Sequence, residues 1–294
     1  TVSWDFFCTG GRRSGFWTTI EVPSCWEQQG FGLYNYGRDY HTYGRTYKYA
    51  DEKGLYRHEF IVPETWSDNK VDIVFEGSMT DTEVKINGKI AGEVHQGSFY
   101  RFRYDISDKL KFGEKNVLEV QVSKMSSNKS VNAAERYADY WIFGGIFRPV
   151  YLEAFPKEHI QRVAINAAAD GIFLMQVFLK NLKTERQINA EIIDVAGNTA
   201  AKTSVTANIS DSVTVVKIKL DNPLLWTAET PHLYKVKVSL CDSNHDIIYE
   251  LTERFGFRTI EVRHGDGIYI NDRKIRMKGI NRHVFWPETG RTVS

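Results

Sequence analysis

The 294-residue chain is long enough for two domains of ordinary size, and its 42% hydrophobic and 26% charged content is that of a soluble globular protein. A formal net charge of +1 gives no bulk field for nucleic acid or an anionic membrane, and the longest uncharged apolar run, Tyr140 to Phe147, is far short of the ~18 residues of a spanning helix. Three cysteines without a C-x-x-C pair and scattered single histidines define no metal set, and no P-loop or G-x-G-x-x-G turn offers a place for a cofactor.

Period-2 alternation dominates, and no long stretch carries the 3.6-residue period of an amphipathic helix. The opening TVSWDFF has no basic-then-apolar leader, so any signal peptide has been removed or lies outside this sequence. Cys8 and Cys25 could form a disulfide, but a chain of this length needs no staple, which favours buried thiols and leaves the compartment open. Phe31 to Tyr49 is dense in aromatics: Phe31, Tyr34, Tyr36, Tyr40, Tyr43, Tyr47 and Tyr49, interleaved with Asn35, Arg38, Asp39 and Arg45. Two readings fit: a surface that stacks on sugar rings, or rings that pack a long loop against the sandwich or a neighbouring domain.

Strands follow at Tyr56–Val62 and Val71–Phe75. Asn87-Gly88 between two alternating runs marks a tight hairpin, because a type I′ turn needs positive φ at both central residues. Val117–Val122 and Arg148–Phe155 are further strands, and the serine-rich patch Ser123–Ser130 reads as an exposed loop. Between them Asp139 stands alone before an apolar run, and Gly144-Gly145 permits close backbone approach. Asp139 is either a turn residue or a carboxylate held at the rim of a cleft.

Pro156-Lys157 marks a boundary, so residues 1–156 read as one antiparallel sandwich. Seven alternating runs then begin near Ile160, Ile172, Ile188, Ala200, Val213, Leu233 and Ile247, with turn chemistry at Gly171, Gly197, Asp211-Ser212 and Asp242-Ser243-Asn244. Short strands at that spacing over residues 157–262 predict an immunoglobulin-like sandwich, not of antibody type because the Cys…Trp…Cys spacing is missing. Residues 263–294 change character: a hairpin turning at Asn271-Asp272, an apolar strand through RMKGINRH, then a loop, like a βα unit cut in half. Asn281, Arg282 and His283 close that strand, followed by Trp286; in a (β/α)8 barrel the active site lies at this end of a strand. Arg282 alone could equally be ion-paired inside a barrel wall. No G-x-S-x-G elbow is present, and sequence cannot pair two acids at the ~5 Å of a retaining glycosidase.

The ordered set VPSCWEQQGFG, GLYRHEFIVPETW, INGKIAGEVHQGSFYRFRYDIS, WIFGGIFRPVYL, LLWTAETPHLY, FGFR and MKGINRHVFWPETG resembles glycoside hydrolase family 2, that of the bacterial β-galactosidases, β-glucuronidases and β-mannosidases. The resemblance implies a jelly-roll sugar-binding domain (1–156), an immunoglobulin-like domain (157–262) and the first strand of a truncated (β/α)8 barrel (263–294). It also implies retention through two glutamates on later barrel strands, so no catalytic residue lies in this sequence. The implied substrate contacts are Asp139, just before Tyr-Trp, and Asn281, Arg282, His283 and Trp286. Trp286 stands where β-galactosidases carry a galactose-contacting histidine, which leaves the terminal sugar open. The expectation is the non-catalytic front of an exo-β-glycosidase with no cofactor, periplasmic or secreted, with cytoplasm as the other option. Its expected partners are carbohydrate and the rest of the barrel, with a second copy as a candidate; the alternative is a stand-alone carbohydrate-binding or scaffolding module.

Overall fold

The computed structural model describes residues 1–44 and 46–293; Arg45, Ser294 and the side chain of Tyr40 lie outside the described residues. The chain divides into two compact units, Thr1–Ala154 with Asn281–Ser294, and Phe155–Ile280.

In the first unit the alternating runs become strands β1 (Val2–Cys8), β2 (Trp17–Val22), β3 (Asn35–Tyr36), β4 (Lys53–Ile61), β5 (Lys70–Phe75), β6 (Asp81–Ile86), β7 (Lys89–Ile90), β8 (Phe102–Asp105), β9 (Lys115–Ser123), β10 (Trp141–Ile142) and β11 (Val150–Phe155). They form a six-stranded sheet, β2-β1-β4-β9-β6-β7, a three-stranded sheet, β11-β5-β8, and the short pair β10-β3. Alternation decides what each strand buries: Leu118, Val120 and Val122 of β9 point inward while their neighbours are more exposed. Trp4, Phe6 and Tyr56 of the large sheet meet Val71, Ile73 and Phe75 of β5 in one sandwich core. Each such burial contributes about 1.5–3 kcal/mol, before the entropy cost of ordering the chain. The hairpin at Asn87-Gly88 forms as expected, with φ of 52° and 77° and Ile86 opposite Lys89.

One polar stretch differs from its sequence reading. The serine-rich patch is not an exposed loop throughout: Lys124 and Ser126 are buried, and a helix, α2 (Lys129–Glu135), follows after a second short helix, α1 (Asp39–Tyr43), earlier in the chain. Asp81 is the reason. Its carboxylate accepts from the Ser126 hydroxyl at 2.6 Å and from the Ser127 N–H and hydroxyl at 2.8 Å, and Asn128 caps the helix through the Ser130 N–H at 3.0 Å.

The second unit contains all seven expected strands: β12 (His159–Ala167), β13 (Ile172–Lys180), β14 (Arg186–Ile193), β15 (Thr199–Ala207), β16 (Val213–Lys219), β17 (Tyr234–Cys241) and β18 (Ile247–Phe255). They pack as β12-β13-β16 against β15-β14-β17-β18. This is an immunoglobulin-like sandwich in which the fourth strand has joined the second sheet, giving three strands against four where constant-type domains place four against three. Its core is largely apolar, with Phe173, Val177, Ile188, Val236 and Val238 fully buried. A small sheet, β19 (Ile260–Arg263), β20 (Gly267–Ile270) and β21 (Arg273–Lys274), follows. The run Arg276–His283, expected as a strand, pairs with no strand among the described residues. A single strand has no ladder to satisfy its N–H and C=O groups, so it forms no regular strand. Cys8, Cys25 and Cys241 are buried free thiols.

Candidate functional site

Two segments far apart in sequence meet at the short ladder of β3 and β10, where Tyr36 lies opposite Trp141 and Asn35 opposite Ile142. Trp141 is 46% exposed and meets the rings of Tyr34 and Tyr36 edge-on at 6.0 and 5.3 Å. Beside it Asp139 is exposed and accepts a hydrogen bond from the Tyr36 hydroxyl. That bond, before any burial, raises the Tyr36 phenol above its ordinary range.

The aromatic run therefore divides. Tyr43 stacks on Tyr47 at 5.5 Å and Tyr49 on Tyr137 at 5.4 Å, with Tyr47 edge-on to Tyr49 at 5.2 Å, so these rings pack the loop. The Tyr47 hydroxyl donates to Asp39 at 3.0 Å and accepts from Asn35 at 2.8 Å, while Tyr49 donates to the Gly37 carbonyl at 2.6 Å. Tyr34 and Tyr36 instead join Trp141 at the rim. Arg38 is exposed, and Arg45 lies outside the described residues.

The 281–293 segment lies in the same unit. Asn281, Arg282 and His283 are exposed, and the His283 ring stands edge-on to Tyr140, 6.0 Å between centroids. Phe285 stacks on Phe143 at 5.8 Å, and Trp286, 59% exposed, exchanges backbone hydrogen bonds of 2.8 and 2.7 Å with Gly290. Arg291 lies over both Phe99 and Tyr140, at 5.1 and 4.8 Å from their ring centroids. An open cavity of about 550 Å³ results, lined by Tyr140, Phe147, Arg148, Arg282, His283 and Arg291 among others. The fold thus brings Arg282 and His283 together with Tyr140. Asp139, Asn281 and Trp286 are not in that lining.

Sequence inspection misses the interior beneath the rim. Gly144 packs flat on the indole of Trp26: a Cβ there would sit 2.0 Å from its Cζ2. The Gly144 N–H donates to both oxygens of Glu27 at 3.1 Å. Glu27 is ion-paired with Lys124 at 2.8 Å, and Lys124 with Glu52 at 3.0 Å, all with side chains 0–2% exposed. Burial pushes the Glu27 carboxyl up, against the opposing pull of Lys124. Arg136 is also buried and binds the Phe143 carbonyl at 3.0 Å and the Thr80 hydroxyl at 2.9 Å. Burial lowers its guanidinium to about 10, still protonated at neutral pH. No short motif could reveal this set, because its members are scattered over more than a hundred residues.

The exposed carboxylate beside aromatic faces is suited to hydrogen-bonding hydroxyls on a stacked ring. Known proteins place the chain in a family. Residues 15–156 match the sugar-binding domain of the glycosyl hydrolases family 2, and residues 158–258 match a second model of the same family. A β-galactosidase of Thermoanaerobacter pseudethanolicus is 32% identical over 80% of this chain, which spans 32% of that relative. A β-galactosidase of Halalkalibacterium halodurans is 32% identical over 95% of the chain, here 28% of the relative's length. The chain thus spans about a third of these relatives. In fold it resembles a Bifidobacterium dentium β-glucuronidase solved with coumarin-3-O-glucuronide, with a TM-score of 0.79 at 22% identity over 100% of this chain and 53% of that one. Two family models in sequence order, over a pair of β-sandwiches, assign the chain to glycosyl hydrolases family 2.

Proposed function

We propose that this chain is the sugar-facing, non-catalytic part of a retaining exo-β-glycosidase, and that it forms one wall of the substrate pocket. The observation that carries the reading is the exposed Asp139 carboxylate, oriented by the Tyr36 hydroxyl and flanked by the exposed ring of Trp141. In this reading Asp139 accepts hydrogen bonds from sugar hydroxyls, while Asn281, Arg282, His283 and Trp286 contribute from the 281–293 segment. Retention needs a nucleophile and an acid/base about 5 Å apart. In this reading both glutamates lie on later barrel strands, and the partner that completes the site is the rest of the same polypeptide.

The test is binding and turnover by the chain as it stands. It is expected to leave aryl-β-glycosides intact, because positioning groups cannot replace the two missing carboxylates. Free monosaccharides should bind no tighter than about millimolar, since one wall desolvates few hydrogen bonds. A low-micromolar dissociation constant by calorimetry would favour a self-sufficient carbohydrate-binding module instead. Turnover that survives repurification would remove the non-catalytic reading altogether.

A further inference from the structure

Burying an ionised side chain is unfavourable unless partners take up its donors and acceptors. The first unit buries four in one patch, and their bonds converge on two short pieces of backbone. Lys124 uses three donors: on Glu27 at 2.8 Å, on Glu52 at 3.0 Å and on the Leu33 carbonyl. Glu52 accepts the Leu33 N–H at 2.9 Å, so both backbone groups of Leu33 end on buried charges. Across the ladder, Glu27 holds the Gly144 N–H at 3.1 Å and Arg136 holds the Phe143 carbonyl at 3.0 Å. The Thr80 hydroxyl joins the two halves, accepting from Arg136 at 2.9 Å and donating to the Lys124 carbonyl at 2.6 Å. Two carboxylates against an ammonium and a guanidinium leave the set formally neutral.

Leu33 lies just before β3, and Phe143-Gly144 lie just after β10. Each strand of that ladder is two residues long, too short to fix its own direction. Apolar packing resists separation but not rotation, whereas hydrogen bonds to charged groups are directional.

We infer that Glu27, Glu52, Lys124 and Arg136 are positioning residues: a neutral buried clasp that fixes both flanks of the β3/β10 ladder and so aims Tyr36, Trp141 and Asp139, an assignment that rests on the sugar-site reading above. The clasp explains why the charges are retained where an apolar core would serve for packing alone.

The test separates aim from stability. Glu27→Met combined with Lys124→Met, in a Glu52→Gln background, removes Lys124 together with both carboxylates it pairs and nearly keeps the volume. Such replacements of a buried pair are often neutral for stability. Expected is an unchanged urea midpoint, with hydrogen exchange at Leu33, Tyr36 and Gly144 accelerated tenfold or more while β9 amides keep their protection. Unchanged exchange at those amides, or acceleration spread equally over β9, would overturn the clasp. Wild-type exchange decides the matter should the combined variant not fold: the Leu33 and Gly144 amides should exchange as slowly as those of β9, and loop-like rates there would overturn it. In the intact hydrolase the combined variant should also lower kcat/KM about tenfold, as is expected of Asp139→Asn. If the rim loosens but neither variant alters kinetics, the aiming role and the sugar reading fail together. If Asp139→Asn alone lowers kcat/KM and the combined variant does not, only the aiming role fails.

Discussion

The two sandwiches are built from the same alternating strands but fill their interiors differently. In the first unit Glu27, Glu52, Asp72, Asp81, Lys124 and Arg136 are buried among the apolar side chains. In the second, the buried polar residues are His159, Thr214 and Ser239, and no buried carboxylate or lysine is found among the described residues. Apolar contact suffices to hold two sheets face to face, as in β12–β18. Four of the six charges of the first unit, Glu27, Glu52, Lys124 and Arg136, hold backbone outside the sheets beneath the rim that carries Asp139 and Trp141, whereas Asp72 pairs with Lys70 within β5. Under the proposed function, the charged interior belongs to the unit whose loops face the sugar.

The largest effects should separate the units by cause. Lys124→Ala strands two carboxylates without their cation and is expected to cost about 3–5 kcal/mol. Ile188→Ala in the apolar unit opens a cavity and should cost about 2–5 kcal/mol. Size does not distinguish them, but rescue does. Adding Glu52→Gln should recover part of the Lys124→Ala loss in urea denaturation, whereas no change of charge should recover Ile188→Ala. Equal insensitivity to charge would break the comparison.

A smaller effect concerns acid. Two hydrogen bonds from Arg186, at 2.9 and 3.0 Å, hold the Glu158 carboxyl below its ordinary range. A depressed acid contributes stability that is present above its unfolded pKa of about 4.3 and is lost as pH falls through the lower folded value. The denaturation midpoint of the second unit should therefore decline below about pH 4.3. Arg186→Met should flatten that limb by lowering the midpoint at pH 7, where the paired carboxylate contributes, more than at pH 3. An identical acid limb in the variant would remove Glu158 from the account.

The smallest effect is expected at Thr214, whose buried hydroxyl finds no partner among the described residues. Thr214→Val should be neutral or slightly stabilising, within about 0.5 kcal/mol of wild type. A clear loss would mean that the second interior depends on polar contacts after all.

The second unit was nearly all legible in the sequence, because its strands obey one local rule, period 2, and its turns fall at Gly171 and Gly197, both with positive φ. The Asn87-Gly88 hairpin was legible for the same local reason. The polar parts of the first unit were not. Ser126 is buried by Asp81, which is 45 residues away, and Lys124 meets Glu52 across 72 residues. No window of sequence holds both partners. The Arg276–His283 run failed differently: its pattern is that of a strand, but pairing needs a neighbour that no pattern supplies. At the site, Asp139 and the aromatic run were visible as composition, whereas the two-residue ladder that joins them has no sequence signature.

The central claim is that Asp139 faces sugar, and one variant tests it directly. Asp139→Asn in the intact hydrolase keeps the shape and an acceptor for the Tyr36 hydroxyl while removing the charge. A charge-assisted hydrogen bond contributes about 1.5–3 kcal/mol, so kcat/KM should fall roughly 10- to 150-fold. The melting temperature should barely move, because an exposed carboxylate supports little of the core. A lowered melting temperature with wild-type kinetics would make Asp139 a turn residue and contradict the account.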